Sequence, residues 1–495
     1  MTDRARTVKG MVELSVGEAL GFGANFIRYL ILARLLGKTA FGTAATLALT
    51  VQILQTVSNM ALNMLIVQSK AGDSRSLQAT AHSFQILRGL VNAGLILALA
   101  WPISALFGVP EARWAYQWLA LVPLLDGFIH LDTYRMERRM QFWPGIAVAA
   151  IPKGVAAVAA WPLAAWFKDY SAMLWLLIAQ STAALVVSHL LAKRPYHLGR
   201  EKRYIAEILQ FGWPLLLNGM LFFGISQGDR FIVGALYGMA DLGVYYVSAG
   251  LVVTLGAALS KVMNTVMLPP LSRAQEDAEA FLSRYRGCAR AFALVAGLYG
   301  PLLIVAGEPL IVFFYGEQYR AAGVLVAWLA AAQSIRLLRL GPSLAAAARA
   351  DTKCLMYANV FRISGVVAAA TAAFTGADLY YVAAAAVAGE AIAFPIPLLR
   401  LSRRHNLPVA ACLRPASAAL AGVGLSGLLV AVAARDTTIV IVSVAALLLL
   451  AGVFVLGVVT FSSSRGRFTL TSAVLWLGGD TDSEGMAAEP KADRQ

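Results

Sequence analysis

The sequence predicts an all-α integral membrane protein with about 14 transmembrane helices. Of its 495 residues, 59% are apolar and only 14% are charged, whereas soluble domains average about 45–50% and about 25%. The mean hydropathy is +0.69. Because each membrane helix needs about 20 apolar residues, such helices account for nearly the whole chain. The polar segments between them are too short for a soluble catalytic domain.

Apolar runs bounded by charges or by Gly and Pro predict the helices in order. These runs span residues 11–36, 41–67, 78–107, 113–134, 143–167, 170–192, 206–237, 241–269, 286–306, 320–347, 354–375, 379–401, 409–433 and 437–461. The first run contains Glu13, Glu18 and Arg28 and therefore predicts a membrane helix, not a cleaved signal peptide. Beyond residue 462 the composition predicts a cytoplasmic tail, 462–495, that is partly disordered.

Basic residues lie mainly in alternate connections between these helices. The chain has 41 basic and 27 acidic residues, a net charge of +14. The well-populated connections contain, for example, Arg135, Arg138 and Arg139, whereas the others contain single residues such as Lys168. By the positive-inside rule both termini are expected in the cytoplasm. The positive charge therefore indicates membrane orientation, and no nucleic acid partner is expected.

An internal repeat indicates two lobes of equal orientation. The segment around Gly37 and Phe41-Gly42 recurs around Gly238 and Leu242-Gly243, at an offset of 201 residues. Two parallel copies are related by an axis along the membrane normal. The sequence therefore predicts two pseudo-symmetric six-helix lobes, with helices 13 and 14 outside the repeat. The predicted boundaries are residues 1–200, 201–405, 406–461 and 462–495.

Ionisable side chains occur at membrane depth, where each costs roughly 2.5–3.5 kcal/mol on insertion scales. The basic ones are Arg28, Arg88, Lys153, Arg230, Lys261, Arg336, Arg339 and Arg362. The acidic ones are Glu18, Asp126, Asp229 and Glu390. Ion pairing explains part of this set, but the basic groups exceed the acidic ones by eight to four. The surplus indicates an anionic ligand, and the planar guanidinium of arginine suits a phosphate.

All the basic residues in this set except Arg88 are therefore candidate substrate-binding residues, and we expect Asp229 to orient Arg230. The second helix adds an uncharged polar stripe, Gln52, Gln55, Asn59 and Asn63, on one helical face. The four carboxylates are candidates for charge pairing or ion coupling. Glu390 has the most apolar neighbours in the sequence, so it is either a proton-exchanging group or a residue of helix packing.

Catalytic and cofactor motifs are not found in the sequence. His82, His130 and His189 are far apart in the chain, and the three cysteines have no metal-ligand spacing. No glycine-rich phosphate loop precedes a Lys and Ser/Thr. We therefore expect no enzyme activity, no metal and no cofactor. Energy would come from an ion gradient, the membrane potential or the gradient of the substrate, with proton or sodium coupling left open.

The run from Ser226 to Tyr245 resembles the helix 7 to helix 8 signature of bacterial polysaccharide flippases. Residues 33–42 are similar to the helix 1 to helix 2 signature. The resemblance is to the polysaccharide-export, Wzx-like branch of the multidrug/oligosaccharidyl-lipid/polysaccharide (MOP) superfamily. It implies two lobes around a central cavity in the bacterial inner membrane. It also implies transport of an undecaprenyl-pyrophosphate-linked oligosaccharide of O-antigen, capsule or exopolysaccharide from the cytoplasmic to the periplasmic leaflet by alternating access. A polysaccharide polymerase and a chain-length regulator are candidate partners.

Two other classes of function stay open. A drug/cation antiporter of the same superfamily would favour acidic groups in its cavity, in contrast to the basic surplus. A membrane polymerase or ligase for lipid-linked glycans would also bind pyrophosphate with arginines. Such enzymes usually carry a large periplasmic loop, and no predicted outer connection exceeds about a dozen residues.

Overall fold

The computed structural model describes residues 3–433, which contain seventeen α-helices, two short 3-10 helices and no β-strand. The α-helices are α1 (Asp3–Leu35), α2 (Lys38–Val57), α3 (Leu62–Gln68), α4 (Arg75–Leu106), α5 (Arg113–Leu119), α6 (Leu121–Gly127), α7 (Asp132–Arg138), α8 (Trp143–Phe167), α9 (Ser171–Leu191), α10 (Lys202–Leu236), α11 (Met239–Arg273), α12 (Ala278–Tyr315), α13 (Ala322–Ala348), α14 (Thr352–Phe374), α15 (Leu379–Ala393), α16 (Pro395–His405) and α17 (Ala410–Ala433). The predicted helix 437–461 and the tail 462–495 lie outside the described residues.

Twelve stretches within residues 3–433 are long and apolar enough to cross a membrane. They correspond to twelve of the fourteen predicted helices, several of which extend further than predicted. The run 286–306, for example, becomes α12, 38 residues long. Charged residues at its ends had limited the prediction, although a helix extends readily into the interface where such side chains are solvated. The all-α membrane fold is thus confirmed, and the count of fourteen is approximate.

The prediction of one continuous helix over 113–134 is wrong, because α6 ends at Gly127 and α7 begins at Asp132. In between, backbone N–H groups donate to side chains instead of to helix carbonyls. The N–H of His130 donates to Ser188 Oγ (3.0 Å), and that of Leu131 donates to His82 Nε2 (3.1 Å). Side chains from α4 and α9 therefore satisfy the interrupted backbone.

The same contacts bring together three histidines that are separate in the sequence. The His130 ring lies 4.8 Å from the His82 ring and 5.3 Å from the His189 ring, measured between centroids. A ring nitrogen of each histidine contacts a backbone carbonyl: His82 that of His197, His130 that of Arg194, and His189 that of Phe128. We interpret this group as a structural one that joins α4, the α6–α7 connection and α9.

Two other predicted helices are also interrupted, each for a local reason. The run 41–67 divides into α2 and α3, where Ala61 has a φ of +48° and its N–H donates to Asn59 Oδ1 (2.8 Å). The run 379–401 divides into α15 and α16 at Pro395, which has no N–H for the preceding turn.

One end of the molecule, here called the basic end, is formed by residues 67–76, 132–141, 193–204 and 349–353 together with α16. Two nearby helices start with a side-chain cap: before α4, Ser74 Oγ accepts from the N–H of Leu77 (3.4 Å), and before α12, Asp277 accepts from that of Ala280 (3.0 Å). Buried carboxylates bind arginines there. Asp132 holds Arg135 (2.6 Å), and Asp351 holds Arg400 (2.7 Å).

The repeated glycines meet at the opposite end, where α2 packs against α11. A Cβ atom on Gly42 would overlap the carbonyl of Met239, and one on Gly243 would overlap that of Lys38. The contact is reciprocal, since each glycine approaches the helix start that belongs to the other repeat. The repeat found in the sequence therefore marks the place where the two chain halves touch most closely.

Helix α10 packs on both halves of the chain. A Cβ atom on Gly219 would lie 3.0 Å from the Thr56 carbonyl oxygen of α2, and one on Gly228 would lie 2.9 Å from Val366 of α14. Near the basic end, Tyr204 and Ile208 join a buried apolar cluster with residues of α3 and α4. A lobe boundary at residues 200 and 201 stays a prediction, because α10 contacts helices on either side of it.

Candidate functional site

A cavity of about 390 Å³ lies between the two chain halves. Its walls come from α1, α2, α8, α9, α10 and α11, with α6 and the end of α12 closing it. Five of the predicted substrate-binding residues line it: Arg28, Gln52, Gln55, Lys153 and Arg230. The remaining lining residues include Asn25, Gln180 and Gln227, so most of the polar groups are basic side chains or neutral amides.

Arg28 of α1 points into this cavity and is only 5% exposed. Its Nη1 donates to Gln180 Oε1 (2.5 Å), and its Nη2 donates to Asn25 Oδ1 (2.7 Å). The guanidinium also lies 4.9 Å from the centroid of the Tyr29 ring. Its Nε is buried and has no hydrogen-bond partner. Amides and a ring thus position the group but leave its charge uncompensated.

Arg230 of α10 has an equivalent environment from the other half of the chain. Its Nη1 donates to Gln227 Oε1 (2.6 Å), and the guanidinium lies 4.8 Å from the centroid of the Tyr246 ring. Its Nε is likewise buried without a partner. In both helices an amide three residues earlier holds the arginine, at an offset of 202 residues. The offset of 201 residues would match Arg28 with Asp229, but the environments show that Arg230 is its counterpart.

Asp229 does not bind the Arg230 guanidinium, contrary to the sequence-based expectation. Its Oδ1 accepts from the backbone N–H of Arg230 (2.8 Å), and its Oδ2 accepts from the Tyr245 hydroxyl (2.7 Å). Asp229 thus fixes the contact between α10 and α11. The amide of Gln227, which the sequence analysis overlooked, takes the positioning role. Its spacing of three residues from Arg230 is the signal that could have identified it.

Lys153 of α8 is the third basic group of the cavity. A Cβ atom on Gly21 would lie 3.2 Å from its Nζ, so the glycine leaves room for the lysine side chain. Within residues 3–433, no carboxylate lies within 4 Å of Lys153, Arg28 or Arg230. Asp126, beside the cavity, accepts a hydrogen bond from Gln55 Nε2 (2.7 Å).

The structure places the other predicted site residues elsewhere. Lys261 forms an ion pair with Glu18 between α11 and α1, and both side chains are about half exposed. Asn59 accepts the N–H of Ala61 at the α2–α3 break, and Asn63 is exposed on α3. The predicted polar stripe from Gln52 to Asn63 required one continuous helix. Because the helix breaks between α2 and α3, α3 turns away from the face that carries Gln52 and Gln55.

Arg336, Arg339, Arg362 and Glu390 also lie outside this cavity, among α13, α14 and α15. Glu390 is only 5% exposed and pairs with Arg339 (3.1 Å) and Arg362 (2.7 Å). The sequence around Glu390 is apolar, but its environment is not, because neighbouring helices contribute the arginines. We expected Arg336, Arg339 and Arg362 to line one cavity with Arg28, Lys153 and Arg230, but in the structure they do not line it.

Aromatic side chains close the cavity at the end opposite the basic end. Tyr29 packs on Tyr246 with 5.4 Å between ring centroids, and Phe41 contacts both Tyr246 and Tyr319. Next to them, Arg34 Nη1 donates to the carbonyls of Phe313 and Phe314 at the end of α12 (both 3.2 Å). These contacts join the chain halves beside Gly42 and Gly243.

Comparison with known proteins agrees with this architecture. A family model described as "Polysaccharide biosynthesis protein" matches residues 31–323, more than half of the chain. The chain belongs to this family. A relative, the succinoglycan biosynthesis transport protein ExoT of Rhizobium meliloti (strain 1021), is 24% identical over 349 residues, 68% of each chain.

Solved structures show which fold this member of the polysaccharide biosynthesis family has. The lipid II flippase MurJ in an inward closed conformation has a TM-score of 0.70 at 13% identity, covering 92% of this chain and 99% of that one. An inward-facing multidrug resistance MATE family transporter of the MOP superfamily has a TM-score of 0.62 at 12% identity, covering 82% and 99%. The predicted membership of a polysaccharide biosynthesis family is confirmed by the family model, and these structures show the fold.

Proposed function

We propose that this protein is a flippase that moves an undecaprenyl-pyrophosphate-linked oligosaccharide from the cytoplasmic to the periplasmic leaflet of the bacterial inner membrane. The observation that carries the proposal is the charge of the cavity. Arg28, Lys153 and Arg230 converge there from three helices, and within the described residues no carboxylate pairs with them. ExoT is a succinoglycan biosynthesis transport protein and MurJ is a lipid II flippase, and both support the same class of cargo.

The diphosphate is the part of such a cargo whose transfer out of water costs the most free energy. Guanidinium and ammonium groups in a cavity of low dielectric replace its hydration with charge-assisted hydrogen bonds. The buried Nε atoms of Arg28 and Arg230 are unpartnered donors for this purpose. Their amide neighbours hold them in place without neutralising them, so the site is ready for an anion before the cargo arrives.

The neutral amides of the cavity suit the sugar part of the cargo. Gln52 and Gln55 face the same space as the basic groups, and amides both donate to and accept from hydroxyl groups. The lipid chain would remain in the bilayer beside the seam between α1 and α11. That seam has a half-exposed ion pair, Glu18 with Lys261, whereas α2 and α10 meet through close glycine contacts.

We assign the basic end to the cytoplasm by the positive-inside rule, which puts the start of α1 on that side. The C-terminus lies outside the described residues, and its cytoplasmic location stays a prediction. In this orientation Gly42, Gly243 and the aromatic cluster seal the cavity from the periplasm. Release of the cargo then requires these contacts to separate. Glu18, Asp126 and Asp229 stay candidates for proton or sodium coupling, and a polymerase and a chain-length regulator stay candidate partners.

A cation antiporter is the second candidate, and the observed cavity argues against it. Three basic groups without carboxylate partners would repel an organic cation. A polymerase or ligase would need catalytic groups such as paired carboxylates, and among the described residues that line the cavity there is no carboxylate.

The proposal can be tested in cells that lack the gene. Complementation with wild type should restore polysaccharide export and prevent a lipid-linked intermediate from accumulating, as measured by mass spectrometry of extracted lipids. Mass spectrometry of the intermediate would also identify the glycan. If no lipid-linked glycan accumulates in the deletion strain, the proposed function is wrong.

A further inference from the structure

A second group of buried and partly buried charges lies in the C-terminal half of the chain, outside the cavity. We define the C-terminal arginine cluster as Arg336 and Arg339 of α13, Arg362 of α14 and Glu390 of α15. Glu390 Oε2 lies 3.1 Å from Arg339 Nε, and its Oε1 lies 2.7 Å from Arg362 Nε. Arg339 is only 2% exposed.

The charges in this cluster do not balance. Three guanidinium groups and one carboxylate leave two positive charges in excess. Among the described residues, Glu390 is the carboxylate that lies within 4 Å of members of this cluster. The Nη1 atom of Arg339 is buried with no hydrogen-bond partner. Buried positive charge in excess of its counter-charge is strongly destabilising, so a further negative group is expected.

The helices around the cluster leave little space. A Cβ atom on Gly389 would lie 2.7 Å from Gly365 Cα and 3.1 Å from the Arg362 carbonyl oxygen, so α14 and α15 are in backbone contact. On another side, Gly228 of α10 packs against Val366, one turn from Arg362. Helix α10 therefore stands between the cluster and the cavity that contains Arg230.

We propose that the C-terminal arginine cluster binds one compact inorganic anion of chloride size. The anion would accept hydrogen bonds from Arg339 Nη1 and from Arg336, which bonds to no described side chain in the structure. It would reduce the excess from two positive charges to one. The close contact of α14 and α15 favours a monatomic ion over the diphosphate of the cargo. The site is independent of the flippase function and separate from the cavity.

The test is thermal unfolding of the purified full chain in detergent, in which sodium chloride replaces sodium gluconate at constant ionic strength. An anion that binds the folded state stabilises it by mass action, so a saturable rise of about 3 °C is expected at 100-fold excess over the dissociation constant. Arg336→Leu should abolish the rise. Arg403→Leu, at an exposed position of α16, and Arg230→Leu, in the cavity, should keep it.

Glu390→Gln provides a second variant, which should strengthen chloride binding instead of abolishing it. It leaves three guanidinium groups without a carboxylate, so the chloride concentration for half saturation should fall by about tenfold or more. The inference is overturned if wild type shows no saturable chloride effect, or if Arg336→Leu shows the wild-type effect. It is also overturned if sodium pyrophosphate, not chloride, gives a shift that Arg336→Leu removes, because the cluster would then bind the cargo. Arg230→Leu separates the two accounts, since it should stop flipping and leave the chloride shift intact.

Discussion

Arg28 and Arg230 show how a repeat can build one binding site from two helices. Each guanidinium is held by an amide three residues earlier and by a tyrosine ring, and each keeps a buried Nε without a partner. Neutral neighbours of this kind fix the direction of the guanidinium group and leave its positive charge unneutralised. A carboxylate in the same place would position the arginine equally well but would compete with an anionic cargo.

The first prediction follows from this arrangement. Arg28→Leu and Arg230→Leu should each reduce polysaccharide export by at least about tenfold, because each removes a charge-assisted hydrogen bond to the cargo. Membrane abundance, measured by immunoblot, should not change. The matched control is Arg403→Leu, which removes an exposed arginine and should export normally. Normal export by both cavity variants would contradict the assignment of these arginines.

A second prediction at this scale concerns Asp132, which lies beyond the membrane-spanning helices. Burial alone would raise the pKa of Asp132, but hydrogen bonds from the Arg135 side chain and the Lys193 backbone N–H lower it from 3.8 to about 2. Because the folded-state pKa is below the ordinary value, the carboxylate stabilises the fold above about pH 4. This contribution is lost as the pH falls from about 4 towards 2.

Asp132→Asn should therefore destabilise the protein by about 3 kcal/mol at neutral pH, since Arg135 would stay buried with only Asp73, 4.0 Å away, as a carboxylate neighbour. Thermal unfolding between pH 3 and pH 7 measures the effect. Wild type should lose stability in the acid part of this range more steeply than the variant. An exposed acid at the basic end, Asp73, supplies the control: Asp73→Asn should change stability by less than about 1 kcal/mol.

At the scale of elements, the most constrained contact joins the starts of α2 and α11. The repeat motif placed glycines at positions 42 and 243, and each now lies against a carbonyl of the opposite helix. We expect Gly42→Ala and Gly243→Ala to prevent the two helices from closing, at a cost of about 1–3 kcal/mol each. Cysteines introduced near this end should then react with a membrane-impermeant reagent more readily than in the parent protein.

The control for this prediction is Gly94→Ala in α4, where a Cβ atom would meet nothing within 4 Å. It should leave both labelling and export unchanged. Unchanged labelling in Gly42→Ala and Gly243→Ala would show that the close approach is not needed to seal this end.

Helix positions were predictable from apolar runs, but not every helix break was. The break before Asp132 depends on Ser188 and His82, which lie on other helices. The sequence next to the break therefore contains no signal of it. The break at Asn59 could have been suspected, because Asn readily bonds a backbone N–H two residues ahead. The same distinction holds for the site. The surplus of basic residues predicted an anionic ligand, yet the separation of Arg339 from Arg28 depends on which faces α13 and α1 present.

The orientation of the whole molecule in the membrane is inferred from the distribution of basic residues between its two ends. We predict that a cysteine at position 200 reacts from the cytoplasmic side and one at position 168 reacts from the periplasmic side. The native Cys288, Cys354 and Cys412 are buried, so the background should be low. Labelling of position 168 from the cytoplasm alone would contradict the topology.

The contacts between helices differ from one side of the cavity to another, in a way that suits a flippase. The α2–α10 seam is closed by glycine contacts, the end opposite the basic end is closed by aromatic rings, and the α1–α11 seam contains a half-exposed ion pair. A polar cargo can therefore occupy the cavity while its lipid chain stays in the bilayer. The central claim is that the basic cavity carries the diphosphate of a lipid-linked glycan across the membrane.

The most direct measurement is flipping by the purified protein in proteoliposomes that contain an undecaprenyl-diphosphate-linked oligosaccharide. A membrane-impermeant reagent that modifies the sugar reports which leaflet holds the lipid. The account predicts that wild type and Arg403→Leu expose the inner-leaflet lipid over time, whereas the Arg28→Leu/Arg230→Leu double variant leaves only the outer-leaflet fraction accessible. Wild-type vesicles that expose no more lipid than protein-free vesicles, or a double variant that flips at the wild-type rate with equal incorporation, would contradict it.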